Sequence, residues 1–120
     1  MAKHVVMISK DLLFITKVKE MALGAGASVS VVKNREALDG AVADGGKGAL
    51  VVVIDAERAP MPLEAVSSLI RPVQENGAEV LTFFSHVNEQ VESDARQLGL
   101  GAVMPRSRFV KVLPDLLRSE

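Results

Sequence analysis

Short apolar runs alternate with amphipathic stretches along the whole chain. The runs are Val5 to Ile8, Val29 to Val32, Ala49 to Ile54, Val80 to Phe84 and Ala102 to Met104. Most are continuously apolar, as in parallel strands covered on both faces, and each predicts a strand. The second is interrupted by Ser30 and preceded by Ser28, so it predicts an edge strand. Between the runs, apolar residues recur at helical spacing. Phe14, Val18, Met21 and Ala25 mark a first helix, and Leu38, Ala41 and Val42 a second one behind an Asn34 cap. Leu63, Val66, Leu69, Ile70 and Val73 mark a third, with Pro62 in its first turn. Val91, Ala95 and Leu98 mark a fourth, opened by Asn88 and stopped by Gly99. Phe109, Val112, Leu113, Leu116 and Leu117 mark a fifth, begun by Ser107. A proline lacks the amide proton and crowds the preceding turn, so Pro72 predicts a kink or end near Ile70, and Pro114 a break inside the fifth helix.

Repeated strand–helix units imply a doubly wound α/β sandwich, because each parallel return needs a crossover. The expected strand order is 2-1-3-4-5, and the functional crevice of such a sheet lies beyond the carboxyl ends of its strands. That places Ser9, Lys10, Asp11, Asp55, Ser85 and Arg106 on one rim.

Composition narrows what the rim can do. The chain has 120 residues, enough for one domain, and residues 1–120 are read as a single unit with no output domain. There is no cysteine, which removes disulfides, thiolate metal sites and a cysteine nucleophile. Fourteen Lys and Arg against fifteen Asp and Glu give a formal net charge of -1, so no global field attracts nucleic acid or an anionic membrane. Phenylalanine supplies all four aromatic residues, leaving little for stacking on bases. The longest apolar run is far shorter than a membrane span, and a cytoplasmic location is expected.

Asp55 ends the most apolar run and is the main candidate for chemistry. A carboxylate at a strand end can be a nucleophile, a metal ligand, or a group bonded to turn amides. Other motifs read structurally. Gly24-Ala25-Gly26 follows a helix instead of opening one and is a C-cap; Gly45-Gly46-Lys47-Gly48 lacks a P-loop's following helix and is a turn. His4 and His86 are the only imidazoles, and neither stands in a metal-binding spacing.

Taken together, the chain resembles the receiver domains of response regulators over essentially its whole length. The resemblance implies the flavodoxin-like (βα)5 fold with the phosphoacceptor aspartate at the end of strand 3, matched by Asp55. The family's Thr or Ser at the end of strand 4 is matched by Ser85, thirty residues beyond Asp55. The segment Gly99 to Ser107 aligns with the family's strand 5 and its terminal Lys-Pro, with Arg106 at the Lys and Ser107 at the Pro. The aromatic switch position of strand 5 is Val103, and the small residue after the Thr or Ser is His86, which either narrows access to Asp55 or faces solvent.

The resemblance fails at the metal. Receivers hold magnesium with the phosphoacceptor and an acidic pair after strand 1; here those positions are Ser9 and Lys10, and Asp11 comes one residue later, at the start of the first helix. Ser9, Lys10 and Asp55 sum to zero charge, and Arg106 makes the cluster positive. If Lys10 reaches Asp55, its attraction is about 4 kcal/mol at ~4 Å in an effective dielectric near 20, before desolvation. The expectation is an atypical receiver-like adaptor, not an enzyme, needing no cofactor and docking a protein partner or a second copy through helix 4, strand 5 and helix 5. The alternatives are a magnesium-dependent response regulator phosphorylated on Asp55, with Asp11 and Arg106 compensating, and a small-ligand binder of flavodoxin type.

Overall fold

The computed structural model describes residues 3–44, 50–85 and 88–118. Five strands and five helices alternate along them: β1 (His4–Ile8), α1 (Leu12–Gly24), β2 (Ser28–Val32), α2 (Arg35–Asp44), β3 (Leu50–Asp55), α3 (Leu63–Glu75), β4 (Glu79–Phe84), α4 (Glu89–Gln97), β5 (Ala102–Pro105) and α5 (Arg106–Arg118). All strands are parallel, in the order β2-β1-β3-β4-β5. This is the doubly wound sandwich expected from the apolar runs, with β2 at an edge.

Side-chain alternation along the strands builds two core layers, because successive residues point to opposite faces. Val6, Ile8, Val52 and Ile54 pack with Leu38 of α2, Val66 and Ile70 of α3 and Ala95 of α4. Val5, Met7, Val51, Val53 and Phe83 pack on the other face with Phe14 and Val18 of α1 and Phe109 and Leu113 of α5. The first layer is mostly aliphatic. The second holds three of the four phenylalanines, with ring centroids 4.7 Å apart for Phe14 and Phe83 and 4.8 Å for Phe83 and Phe109.

The caps follow the sequence. Asn34 Oδ1 accepts from the Ala37 amide and Asn88 Oδ1 from the Val91 amide, each satisfying an orphan donor of a first turn. Gly101, between α4 and β5, has φ +70°, and a Cβ there would sit 2.1 Å from the Val80 carbonyl oxygen. Only glycine fits this junction.

Two expectations are corrected: α3 does not end near Ile70 but runs through Pro72 to Glu75, and α5 runs through Pro114 to Arg118 without a break. Pro72 and Ser68, four residues before it, are both exposed, so water can take the carbonyl that loses its amide partner, while Val66 and Ile70 remain buried and anchor the helix. Pro114 is flanked by buried Leu113 and Leu117, which keep α5 on the sheet on both sides of it. An end of α3 near Ile70 and a break of α5 at Pro114 follow from the lost hydrogen bond alone; the anchoring outweighs it.

Three large apolar side chains of α1, Leu12, Leu13 and Leu23, stay exposed. No helix among the described residues is long and apolar enough to cross a membrane.

Candidate functional site

The carboxyl ends of β1 and β3 lie side by side, with Ile8 opposite Ile54, so Ser9 and Asp55 emerge together. Asp55 is 1% exposed. Its Oδ2 accepts from Ser9 Oγ at 2.8 Å, and its Oδ1 from the amides of Glu57 at 3.1 Å and Arg58 at 3.0 Å. The turn after β3 thus closes on the side chain that begins it, the geometry for which Asp is favoured at such positions. Ser9 is also buried, and its Oγ accepts from the Asp11 amide at 3.0 Å. One hydroxyl therefore links the two loops of the crevice, and three donors satisfy the buried carboxylate without a cation. A further backbone bond, from the Lys10 amide to the Arg58 carbonyl at 2.8 Å, pins the same loops.

Lys10 takes no part through its ammonium. It is exposed, and no ion pair between Lys10 and Asp55 occurs among the described residues. The idea of an ammonium standing in for a metal is corrected: Lys10 is exposed, and Ser9 and the turn amides already give the carboxylate three donors, with both oxygens engaged. A lysine reaching inward would lose its hydration to join a carboxylate that three donors already serve.

Asp11 is the N-cap of α1. Its Oδ1 accepts from the Phe14 amide at 3.2 Å, and its Oδ2 from Arg106 Nη2, also at 3.2 Å. The bond from the Phe14 amide holds its carboxyl below the ordinary value, assisted by the bond and charge of Arg106 and by the charge of Arg58, against the opposing effect of burial. Arg106, which opens α5, lays its guanidinium 4.1 Å from the centroid of the Phe14 ring and 5.3 Å from that of Phe83. Its Nε is buried without a hydrogen-bond partner among the described residues. The rim is therefore not one positive cluster around Asp55. Arg106 is spent on Asp11 and the aromatic layer.

Ser85, just past β4, donates its hydroxyl to Glu57 Oε1 at 2.7 Å, and its amide bonds the same oxygen. Val103 in β5 is buried at 7% exposure. His86 lies outside the described residues. Of the expected rim, Ser9 meets Asp55 and Asp11 meets Arg106, while Ser85 meets a residue the sequence reading had passed over. Glu57 and Arg58 were missed as the turn amides and side chain that close on Asp55 and Ser85. Their signal was an acidic residue two positions after a strand-ending Asp, a turn-forming spacing. Phe14 and Phe83 were read as core alone, and their hold on Arg106 had no local signal.

A divalent cation of the kind receivers hold does not fit these residues. Magnesium needs several oxygen donors, with carboxylates supplying the charge. Here Asp55 already accepts from three donors, Asp11 is bound to a guanidinium and a helix amide, and Lys10, next to Asp11 in the chain, brings no carboxylate. No group of three or more His, Cys, Asp or Glu among the described residues is arranged to hold a metal.

The fold has clear relatives among solved structures. The receiver domain of the Francisella response regulator 1452 superposes with a TM-score of 0.69 at 12% identity, covering 98% of this chain and 97% of that one. That decides the architecture: the chain has the receiver-domain fold. A response regulator protein from Burkholderia multivorans matches with a TM-score of 0.64 at 15% identity, over 100% of this chain and 98% of that one. The chemotaxis protein CheY4 of Vibrio cholerae matches with a TM-score of 0.63 at 16% identity, over 87% and 84%. No protein-family model and no curated protein matches the sequence.

Proposed function

We propose that this chain is a receiver-like signalling domain that works by binding a protein partner, without magnesium-dependent phosphorylation of Asp55. The observation that carries the reading is the enclosure of Asp55: a buried carboxylate with both oxygens engaged by Ser9 and the amides of Glu57 and Arg58. Phosphoryl transfer to a carboxylate needs an oxygen free to attack and a cation to offset charge on the transferred group. Here the attack would first break hydrogen bonds in a buried turn, with no acidic pair to seat the cation.

The partner face we favour is α4, β5 and α5. It presents Glu89 and Glu92 on α4 and Arg108 and Lys111 on α5, all exposed or half-exposed, around a short edge strand. Exposed Leu12 and Leu13 make the start of α1 the rival face.

One observation favours the second reading, a phosphorylatable regulator: Lys10 turns outward and leaves no ammonium in the pocket. Incubation with acetyl phosphate and magnesium followed by intact mass separates the two. The adaptor reading expects an unmodified chain. A stoichiometric phosphoryl adduct that disappears in Asp55→Asn would overturn it.

A further inference from the structure

Asp55 is shut away, yet the residue two positions later is exposed and spans the crevice. Glu57 uses its amide to bind Asp55 Oδ1 and its carboxylate to bind Ser85, through the hydroxyl at 2.7 Å and through the amide. β3 and β4 are neighbours, with Asp55 opposite Phe83, so Ser85 lies two residues beyond the level of Asp55 on the adjacent strand. Glu57 therefore crosses from the end of one strand to the end of the next, on the solvent side of the buried carboxylate.

We infer that Glu57 is a strap that holds the β3–α3 turn closed over Asp55, and that its release from Ser85 controls access of solutes to that carboxylate. The other ties of the turn explain why this one is the control point. Ser9 to Asp55 is buried, and the Lys10 amide to Arg58 carbonyl bond is backbone. The Glu57 contact is the tie made by an exposed side chain, so it opens without breaching the core. It is charge-assisted, and the carboxylate oxygen accepts from two donors of one residue, which gives it more hold than a lone surface hydrogen bond. The strap rests on Asp55 being sequestered, as in the proposed function, but it concerns what keeps the site closed rather than what the closed site does.

Reaction of the full chain with a water-soluble carbodiimide and glycine ethyl ester, read by peptide mass spectrometry, tests access to Asp55 directly. Asp39, exposed on α2, serves as the internal reference. Labelling of Asp55 relative to Asp39 should rise about tenfold in Glu57→Ala, in line with loss of a hydrogen-bonded charged acceptor, and by a smaller factor in Ser85→Ala, which loses the hydroxyl and keeps the amide donor. Amide hydrogen exchange should quicken at Glu57 and Arg58 and stay unchanged at Val52 in the core of β3. Equal Asp55 labelling in the wild type and both variants would overturn the strap, as would exchange that quickens equally at Val52. Because the readout is a ratio between variants, it stands apart from the phosphorylation test: a phosphorylated wild type would end the adaptor reading and leave the strap to be judged by labelling.

Discussion

Two aspartates on the same rim are held in opposite ways. Asp55, at the end of β3, is buried and served by neutral donors: one hydroxyl and two amides. Asp11, at the start of α1, is partly exposed, with 14% of its side chain accessible, and faces a guanidinium with 30% accessible. The positive charge that would balance a reactive carboxylate has gone to the capping aspartate, and the aromatic layer keeps it there. On the function proposed above, the receiver-shaped crevice keeps its central carboxylate as a structural hub, with Ser9 and Lys10 beside it in place of acids that would attract a cation.

The sharpest way to break this contrast is to delete the hub. Asp55→Ala should destabilise the chain by about 3 kcal/mol, since it strands Ser9 Oγ and two turn amides in a closed site. Urea unfolding measures it; a more stable variant would mean that Asp55 is held in strain for some other purpose. Ser9→Ala removes one donor to Asp55 and the acceptor of the Asp11 amide, for a loss of about 1–2 kcal/mol by the same measurement.

Asp11→Asn keeps an N-cap oxygen and removes the charge, so the loss should be smaller, about 0.5–1 kcal/mol at neutral pH. Its pH dependence carries the sign. The folded-state value of Asp11 lies below its ordinary value of 3.8, so its contribution is complete above that value and disappears as the pH falls through the folded one. The stability gap between wild type and Asp11→Asn should therefore be constant at neutral pH and narrow in acid below about 3.8. A gap that widens in acid would contradict the ion pair. Lys10→Ala should change stability least, by less than about 0.5 kcal/mol, as expected for an exposed side chain with no ion pair among the described residues. A loss comparable to that of Ser9→Ala would restore the ammonium to the pocket.

Much of the fold was legible because its signals are local. Continuously apolar runs such as Leu50 to Ile54 read as central strands, the serines of β2 marked the edge, and Asn34 and Asn88 cap as their side chains allow. Pro72 and Pro114 misled because a proline's effect on a helix depends on which neighbours are buried, a property of the folded chain. At the site, Asp55 could be placed by its strand and Asp11 by its helix. The destination of Arg106 could not. It is set by Asp11, 95 residues away in sequence, and by rings from α1 and β4 that meet only after the sheet has formed. Lys10 and Arg106 are both cations on the rim, and only packing shows that one faces solvent and the other lies on an aromatic layer. Glu57 escaped notice for the same reason, since its partner Ser85 belongs to the next strand.

The most direct measurement is a magnesium titration followed by the backbone amide resonances of residues 9–11 and 55–58. If Asp55 is a structural hub, the Glu57 and Arg58 signals stay fixed through millimolar magnesium, because their acceptor is already engaged. Saturable shifts centred on Asp55, Glu57 and Arg58 would show a cation entering the site and would contradict the account.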